Sequence, residues 1–153
     1  MAVTLEPMSA ELIGDWLALS AADHVAQRIA AGDHPERARR DTEEMSARLF
    51  PGGAPAPGQC VFQICEDGVP VGSLWIGVAE RPTDWYVWSV DVDASARGRG
   101  IGRQAMQLGE DVARSAGAIR MGLNVFGSNV VARGLYESLG YEVTALQMSK
   151  PLN

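Results

Sequence analysis

Apolar positions fall at helical spacing over the first fifty residues, alternate with polar ones between residues 60 and 92, and return to helical spacing after residue 100. Val3–Glu6 reads as a short opening strand. Ser9 then stands where it can cap a helix whose apolar positions are Leu12, Ile13, Trp16, Leu17 and Leu19. A second helix is predicted to open at Asp33-His34-Pro35, with proline in a tolerated first-turn position, and to run through Met45, Leu49 and Phe50. Its stretch ERARRDTEE mixes signs and sets Glu36 four residues before Arg40, the pattern of a solvated helix face.

Residues 51–58, PGGAPAPG, can sustain neither a helix nor a strand ladder and are expected to form a loop. Cys60–Cys65 and Val71–Val78 follow as strands, and the Asp67-Gly68 pair between them favours a hairpin turn. Trp85–Val92, rich in aromatic and β-branched residues, is the next strand. Helical spacing resumes at Ile101, continues through Ala105, Leu108 and Val112, and stops near Gly117. Met121–Phe126 reads as a strand, Asn129–Leu139 as a helix closed by Gly140, and Tyr141–Met148 as a last strand. There is no internal repeat and no low-complexity tract.

A length of 153 residues with 46% hydrophobic composition suits one domain with a proper core. The formal charge of −6 argues against nucleic-acid binding, which needs a basic stripe, and suits a cationic partner. The start MAVTLEPMSAEL lacks a basic segment followed by an apolar run, and no stretch approaches the ~20 apolar residues of a membrane span. A soluble, unprocessed, cytoplasmic protein without membrane attachment is expected. Cys60 and Cys65, on opposite faces of one strand and about 16 Å apart, cannot pair, which fits a reducing compartment. His24 and His34 have no partner at ligand spacing, so no metal centre is expected. Without a basic groove, the tryptophans at 16, 75, 85 and 88 read as core or as walls of an apolar substrate pocket.

The chemistry concentrates in Val90–Gly102, VDVDASARGRGIG, a strand that enters a glycine-rich turn and then a helix. A helix start offers unpaired N–H groups and roughly half a positive charge, so a phosphate can rest there on main chain alone. Gly98, Gly100 and Gly102 clear side chains from its path, while Arg97 and Arg99 add donors. The glycines fall at every second residue and residues 118–128 contain no Asp or Glu, which excludes a dinucleotide fingerprint. A Walker loop is excluded because Gly-Lys-Ser/Thr is absent.

Arg97-Gly98-Arg99-Gly100-Ile101-Gly102 resembles motif A of the GNAT superfamily of acyl-CoA-dependent N-acetyltransferases, Gln/Arg-x-x-Gly-x-Gly/Ala. Leu123–Val143 resembles the family's later motif, in which a strand leads to Asn, then to a helix bearing Tyr, then to Gly-Tyr/Phe. The resemblance covers Trp85–Lys150 closely and the rest by element order. It implies one α/β domain over residues 1–153, a mixed, mostly antiparallel central sheet with helices on both faces, splayed between the Trp85–Val92 and Met121–Phe126 strands.

Further implications of the resemblance concern the site. Acetyl-CoA would lie in the splay with its pyrophosphate on residues 97–102, Ile101 included, and its pantetheine arm along Val90-Asp91-Val92, where a bulge is expected. The Val92 N–H would polarise the thioester carbonyl, Asn129 would contact the cofactor, and Tyr136 would protonate the departing thiolate. A phenol of pKa near 10 is protonated at neutral pH, and a thiol near 8.5 is a reasonable leaving group, so the assignment is chemically sound. Asn129 and Tyr136 are seven residues apart, about two helical turns, so on a helix both address one ligand.

The reaction implied is acetyl transfer from acetyl-CoA to a primary amine, on a small molecule or a peptide, by direct attack in a ternary complex without a metal. Some family members carry a glutamate base where this chain has Tyr86, which leaves Glu80, Asp84, Asp91 and Asp93 as alternatives among which the sequence does not choose. A catalytically silent acetyl-CoA sensor and a protein N-terminal or lysine acetyltransferase stay open as alternatives, and so does a homodimer.

Overall fold

The alternating stretch builds the sheet, and the helical stretches cover its two faces. The computed structural model describes residues 2–153. In chain order these form β1 (Val3–Pro7), α1 (Ala10–Ala30), α2 (Pro35–Leu49), β2 (Gln59–Glu66), β3 (Val69–Val78), β4 (Asp84–Val92), α3 (Ile101–Ser115), β5 (Arg120–Leu123) and α4 (Val130–Ser138). The strands lie in the order β1-β2-β3-β4-β5; the first three pairings are antiparallel and the last is parallel. Among the described residues, no helix is long and apolar enough to cross a membrane.

Alternation along β3 separates two cores. Leu74 and Ile76 face α3 and bury Ala105 and Met106 with them, while Trp75 faces α1 and α2 and packs with Ile13, Leu49 and Phe50. Each fully buried Leu or Ile stabilises the fold by about 1.5–3 kcal/mol. Asp67, at φ 50°, and Gly68 after it make the tight turn that the Asp-Gly pair announces. Helices on both faces of a mostly antiparallel sheet are the architecture expected.

β4 pairs with β5 only from Asp84 opposite Arg120 to Val87 opposite Leu123, and then runs on alone to Val92. That divergence is the expected splay. Trp75 pairs with Ser89 and Ile76 with Val87, so Trp88 has no residue opposite it and forms a bulge. The bulge thus lies two residues ahead of Val90-Asp91-Val92, where it was expected. The loop at residues 51–58 begins with a 3₁₀ turn at Pro51–Gly53.

One predicted element is corrected. Tyr141–Met148 forms no strand; residues 142–153 are exposed and irregular. A strand needs a ladder as well as an alternating pattern. Here the chain turns at Gly140, at φ 97°, and Tyr141 is drawn to α3 by a hydrogen bond from its hydroxyl to Glu110 Oε2 at 2.8 Å. β5 also stops at Leu123, short of Phe126.

Candidate active site

The end of β4, the start of α3 and the middle of α4 meet at Gly102. A β-carbon placed there would lie 3.6 Å from Leu135 Cδ2 and 3.8 Å from Val92 Cγ2. α3 is capped by Gly100 in the left-handed region at φ 80°, a conformation costly for any residue with a side chain. Ile101, 1% exposed, roots the first turn in the core. The first intrahelical bond runs from the Gln104 N–H to the Gly100 carbonyl, so the preceding N–H groups remain as donors at the positive end of the helix.

Val92 presents its backbone to the splay. The Asp93 N–H bonds to Val71 O at 2.8 Å while Val92 stands opposite Gly72, which makes Val92 and Gly72 a non-hydrogen-bonded pair. The N–H and C=O of Val92 therefore point away from β3, towards the side β5 has left. Val90, opposite Leu74 and two residues back, shares that orientation. The side chains of both valines pack towards the α3 core.

Both expected arginines lie at the loop, each already engaged. Arg97 Nε donates to Val92 O at 2.7 Å and its guanidinium lies 3.6 Å from Asp91. Arg99 Nη1 donates to both carboxylate oxygens of Glu66, at 2.9 and 2.8 Å, which ties the loop to the end of β2. Between them Gly98 also takes a left-handed conformation, at φ 78°. The unengaged donors at this corner are therefore mainly main-chain N–H groups. Arg103 bridges α3 to α4 through Ser138 Oγ.

Asn129 caps α4 instead of lying within it, and its Oδ1 accepts from the Ala132 N–H at 3.2 Å. Its amide NH₂ is left for a ligand. Tyr136 is half-buried on α4, with its ring centroid 6.0 Å from that of Tyr141. Burial raises the pKa of Tyr86 and of Tyr136 above the ordinary tyrosine value; for Tyr141 burial and then the bond to Glu110 raise it further.

These shifts set a pH dependence. A tyrosine whose folded pKa exceeds its unfolded value near 10 holds its proton more tightly when folded, so its contribution is complete below pH ~10 and is lost above it. Urea midpoints are expected to fall as the pH rises above about 10, and Tyr141→Phe to flatten that fall.

The α1 side of the splay is aromatic. Tyr86 lies 4.6 Å from Trp88, and Trp88 stacks on Trp75 at 5.6 Å. Trp16 Nε1 donates to Ser73 Oγ, and Ser73 pairs with Asp91 across the strands, which places Asp91 on this same face. The candidate carboxylates separate accordingly. Asp84 opens β4, about 26 Å of strand from Val92, and lies 3.8 Å from Arg81; Glu80 precedes it in the turn. Asp91 and Asp93 flank Val92. Tyr86 lies one strand position from the last β4–β5 pair.

Three contributors escape a reading of the sequence. Glu66 holds Arg99 from 33 residues away, and Leu135 closes on Gly102. Gly72 permits contact between β3 and the Asp91 carbonyl, and a lone glycine inside a strand is the signal that could have found it.

The profile of the acetyltransferase (GNAT) family matches residues 21–141. The chain belongs to this family. The GNAT chain is 30% identical over 156 residues to the uncharacterized N-acetyltransferase YdgE of Bacillus subtilis (strain 168), an alignment covering 99% of each. The crystal structure of the putative acetyltransferase YycN from Bacillus subtilis matches at a TM-score of 0.88 and 29% identity, over 99% of both chains. AAC(6')-Iy, solved in complex with the bisubstrate analogue CoA-S-monomethyl-acetylneamine, shares the fold at a TM-score of 0.62 and 16% identity, over 100% of this chain and 99% of that one. The protein is an acyltransferase of a family that uses acetyl-CoA.

Proposed function

We propose that this GNAT chain transfers an acetyl group from acetyl-CoA to a primary amine by direct attack in a ternary complex, with residues 1–153 acting as one catalytic domain. The observation that carries this reading is the meeting of Val92, the α3 start and α4 at Gly102. The donor set fits a nucleotide thioester. Main-chain N–H groups at a helix start suit a pyrophosphate, and Gly98 and Gly100 leave open space where side chains would stand. The backbone groups of Val90 and the N–H of Val92, turned away from β3, suit the amides of a pantetheine arm, as an added strand docks on a sheet edge.

The chain's own groups then divide the chemistry. The Val92 N–H donates to the oxygen that gains charge as the amine attacks, a contribution of about 3 kcal/mol for donors of this kind. Tyr136, kept protonated by burial, gives its proton to the departing thiolate. An alkyl ammonium of pKa near 10.4 must lose a proton before attack. Asp91, on the α1 face beside Val92, receives that proton directly or through water. The amine approaches from this face, along the rings of Tyr86 and Trp88.

Calorimetry with acetyl-CoA, followed by thiol-release assays over a panel of small amines and peptides, tests the reading. Binding together with amine-dependent thiol release is the expected result. Binding without release for any acceptor would favour an acetyl-CoA sensor instead. Arg97→Ala, which frees the Val92 carbonyl and loosens the turn, is expected to weaken acetyl-CoA binding about five- to tenfold, as befits an exposed charge-assisted hydrogen bond.

A further inference from the structure

We infer that the crevice between α1 and α2 binds a small zwitterion with an apolar side group, of the class of an apolar α-amino acid, its carboxylate on Arg39 and Thr42 and its ammonium on Glu43. The crevice measures about 590 Å³ and is lined by residues of these two helices alone, so it lies apart from the splay. Cavities of this size hold small ligands. One wall is apolar and built from small side chains: Gly14, Ala18 and Ala22 recur every fourth residue along α1, with Leu17 beside them. The other wall is α2, where part of the mixed-sign run read from the sequence as a solvated face borders the crevice.

Three side chains of the α2 wall point to a ligand. Thr42 lines the crevice and is 3% exposed, yet its Oγ1 is buried with no hydrogen-bond partner among the described residues. A threonine inside a helix can bond back to the carbonyl four residues earlier, here that of Ala38, and this one does not. Its hydroxyl is a donor in want of an acceptor. Arg39 and Glu43, both exposed, form no ion pair among the described residues, whereas Arg37 on the same helix reaches Asp41 at 3.9 Å and Arg28 of α1 binds Asp33 and Asp41. A base four residues ahead of an acid is the weaker order for a pair within a helix, which leaves both charges available.

Charge complementarity then selects the ligand. One cation and one anion, with β-carbons about 5–6 Å apart on one helix face, suit a molecule that carries both opposite charges close together. A carboxylate takes the Arg39 guanidinium and the Thr42 hydroxyl as donors, and an ammonium donates to Glu43. The apolar side group lies along α1, where the small side chains let it approach the helix closely. A lone amine would leave Arg39 and Thr42 without acceptors, and a lone carboxylate would face Glu43 unbalanced.

Calorimetry of the full chain with L-phenylalanine and L-leucine, without acetyl-CoA, tests the inference. Saturable binding at millimolar concentration or below is expected for both, with phenethylamine and 3-phenylpropionate, each lacking one charge, about tenfold weaker or more. Arg39→Gln and Glu43→Gln should each weaken binding about tenfold, and Ala18→Leu, which fills the crevice from an exposed position, should abolish it. Thr42→Val should weaken binding about three- to tenfold without lowering the melting temperature, since the hydroxyl it removes has no partner in the protein. The two exposed charge variants decide the matter even if Thr42→Val fails to fold. Absence of saturable binding overturns the inference, and so does binding that Arg39→Gln and Ala18→Leu leave unchanged. A chain that sediments as a dimer and becomes a monomer on Ala18→Leu also overturns it, because a second copy would then occupy the crevice. Every readout is taken without acetyl-CoA and no substituted residue belongs to the proposed catalytic site, so this binding and acetyl transfer stand or fall separately.

Discussion

Tyr136→Phe is expected to lower kcat for acetyl transfer by about 10²- to 10³-fold, within the range for loss of a general acid, with little change in acetyl-CoA affinity. The substitution removes one oxygen and leaves the ring against Tyr141, so packing between α4 and the core is retained. Steady-state kinetics beside calorimetry separates the two quantities. The role predicts a further result, because a leaving thiol of lower pKa needs less help from an acid. An activated thioester should therefore recover much of the lost rate in the variant. Equal loss with both donors would mean that the hydroxyl does not protonate the leaving group. Unchanged transfer in both Tyr136→Phe and Arg97→Ala, with unchanged binding, would remove the assignment of roles altogether.

Gly72→Ala is expected to destabilise the protein by about 2–4 kcal/mol and to lower its melting temperature by about 5–15 °C. The added carbon would fall 2.2 Å from the Asp91 carbonyl oxygen and 3.1 Å from the Val92 Cα, both backbone atoms that no rotamer change can move aside. β3 and β4 must part where Val92 turns its N–H to the splay. Acetyl transfer should then fall in the fraction that remains folded, which thermal melts and kinetics at low temperature can distinguish from simple unfolding. Gly134→Ala on α4, where nothing lies within 4 Å, is the control and should gain about 0.5–1 kcal/mol. A Gly72 variant as stable and active as the parent would mean that the pairing at Val92 has more slack than its geometry implies.

How far the sequence reaches depends on the range of the interaction. The β2–β3 hairpin and α3 were legible because period, turn residues and the Arg97–Gly102 glycines act within a few positions of one another. The anion corner was legible for the same reason. The bulge at Trp88 was misplaced because it exists only as a mismatch of register between β3 and β4, and the strand that carries it alternates normally on either side. The engagement of Arg99 by Glu66 joins residues far apart in the chain, and a count of charges sees neither the pairing nor the loss of a free cation. Tyr141–Met148 shows the opposite error. Its alternation states a preference for extended backbone, but a strand also needs a partner ladder, which this segment lacks. Asn129 was assigned to the right helix end, yet its side-chain oxygen is engaged in capping the helix, a bond the sequence did not announce.

The segment between Asp93 and Gly102 has a property its composition disguises. Glycine-rich stretches usually wander, but here Ala96, 2% exposed, and Ile101, 1% exposed, are sunk in the core on either side of Arg97–Gly100. The span is a bridge between two fixed abutments, guyed by Arg97 to one strand and by Arg99 to another. An incoming anion thus meets a seat that is already set, and little ordering entropy is left to lose on arrival.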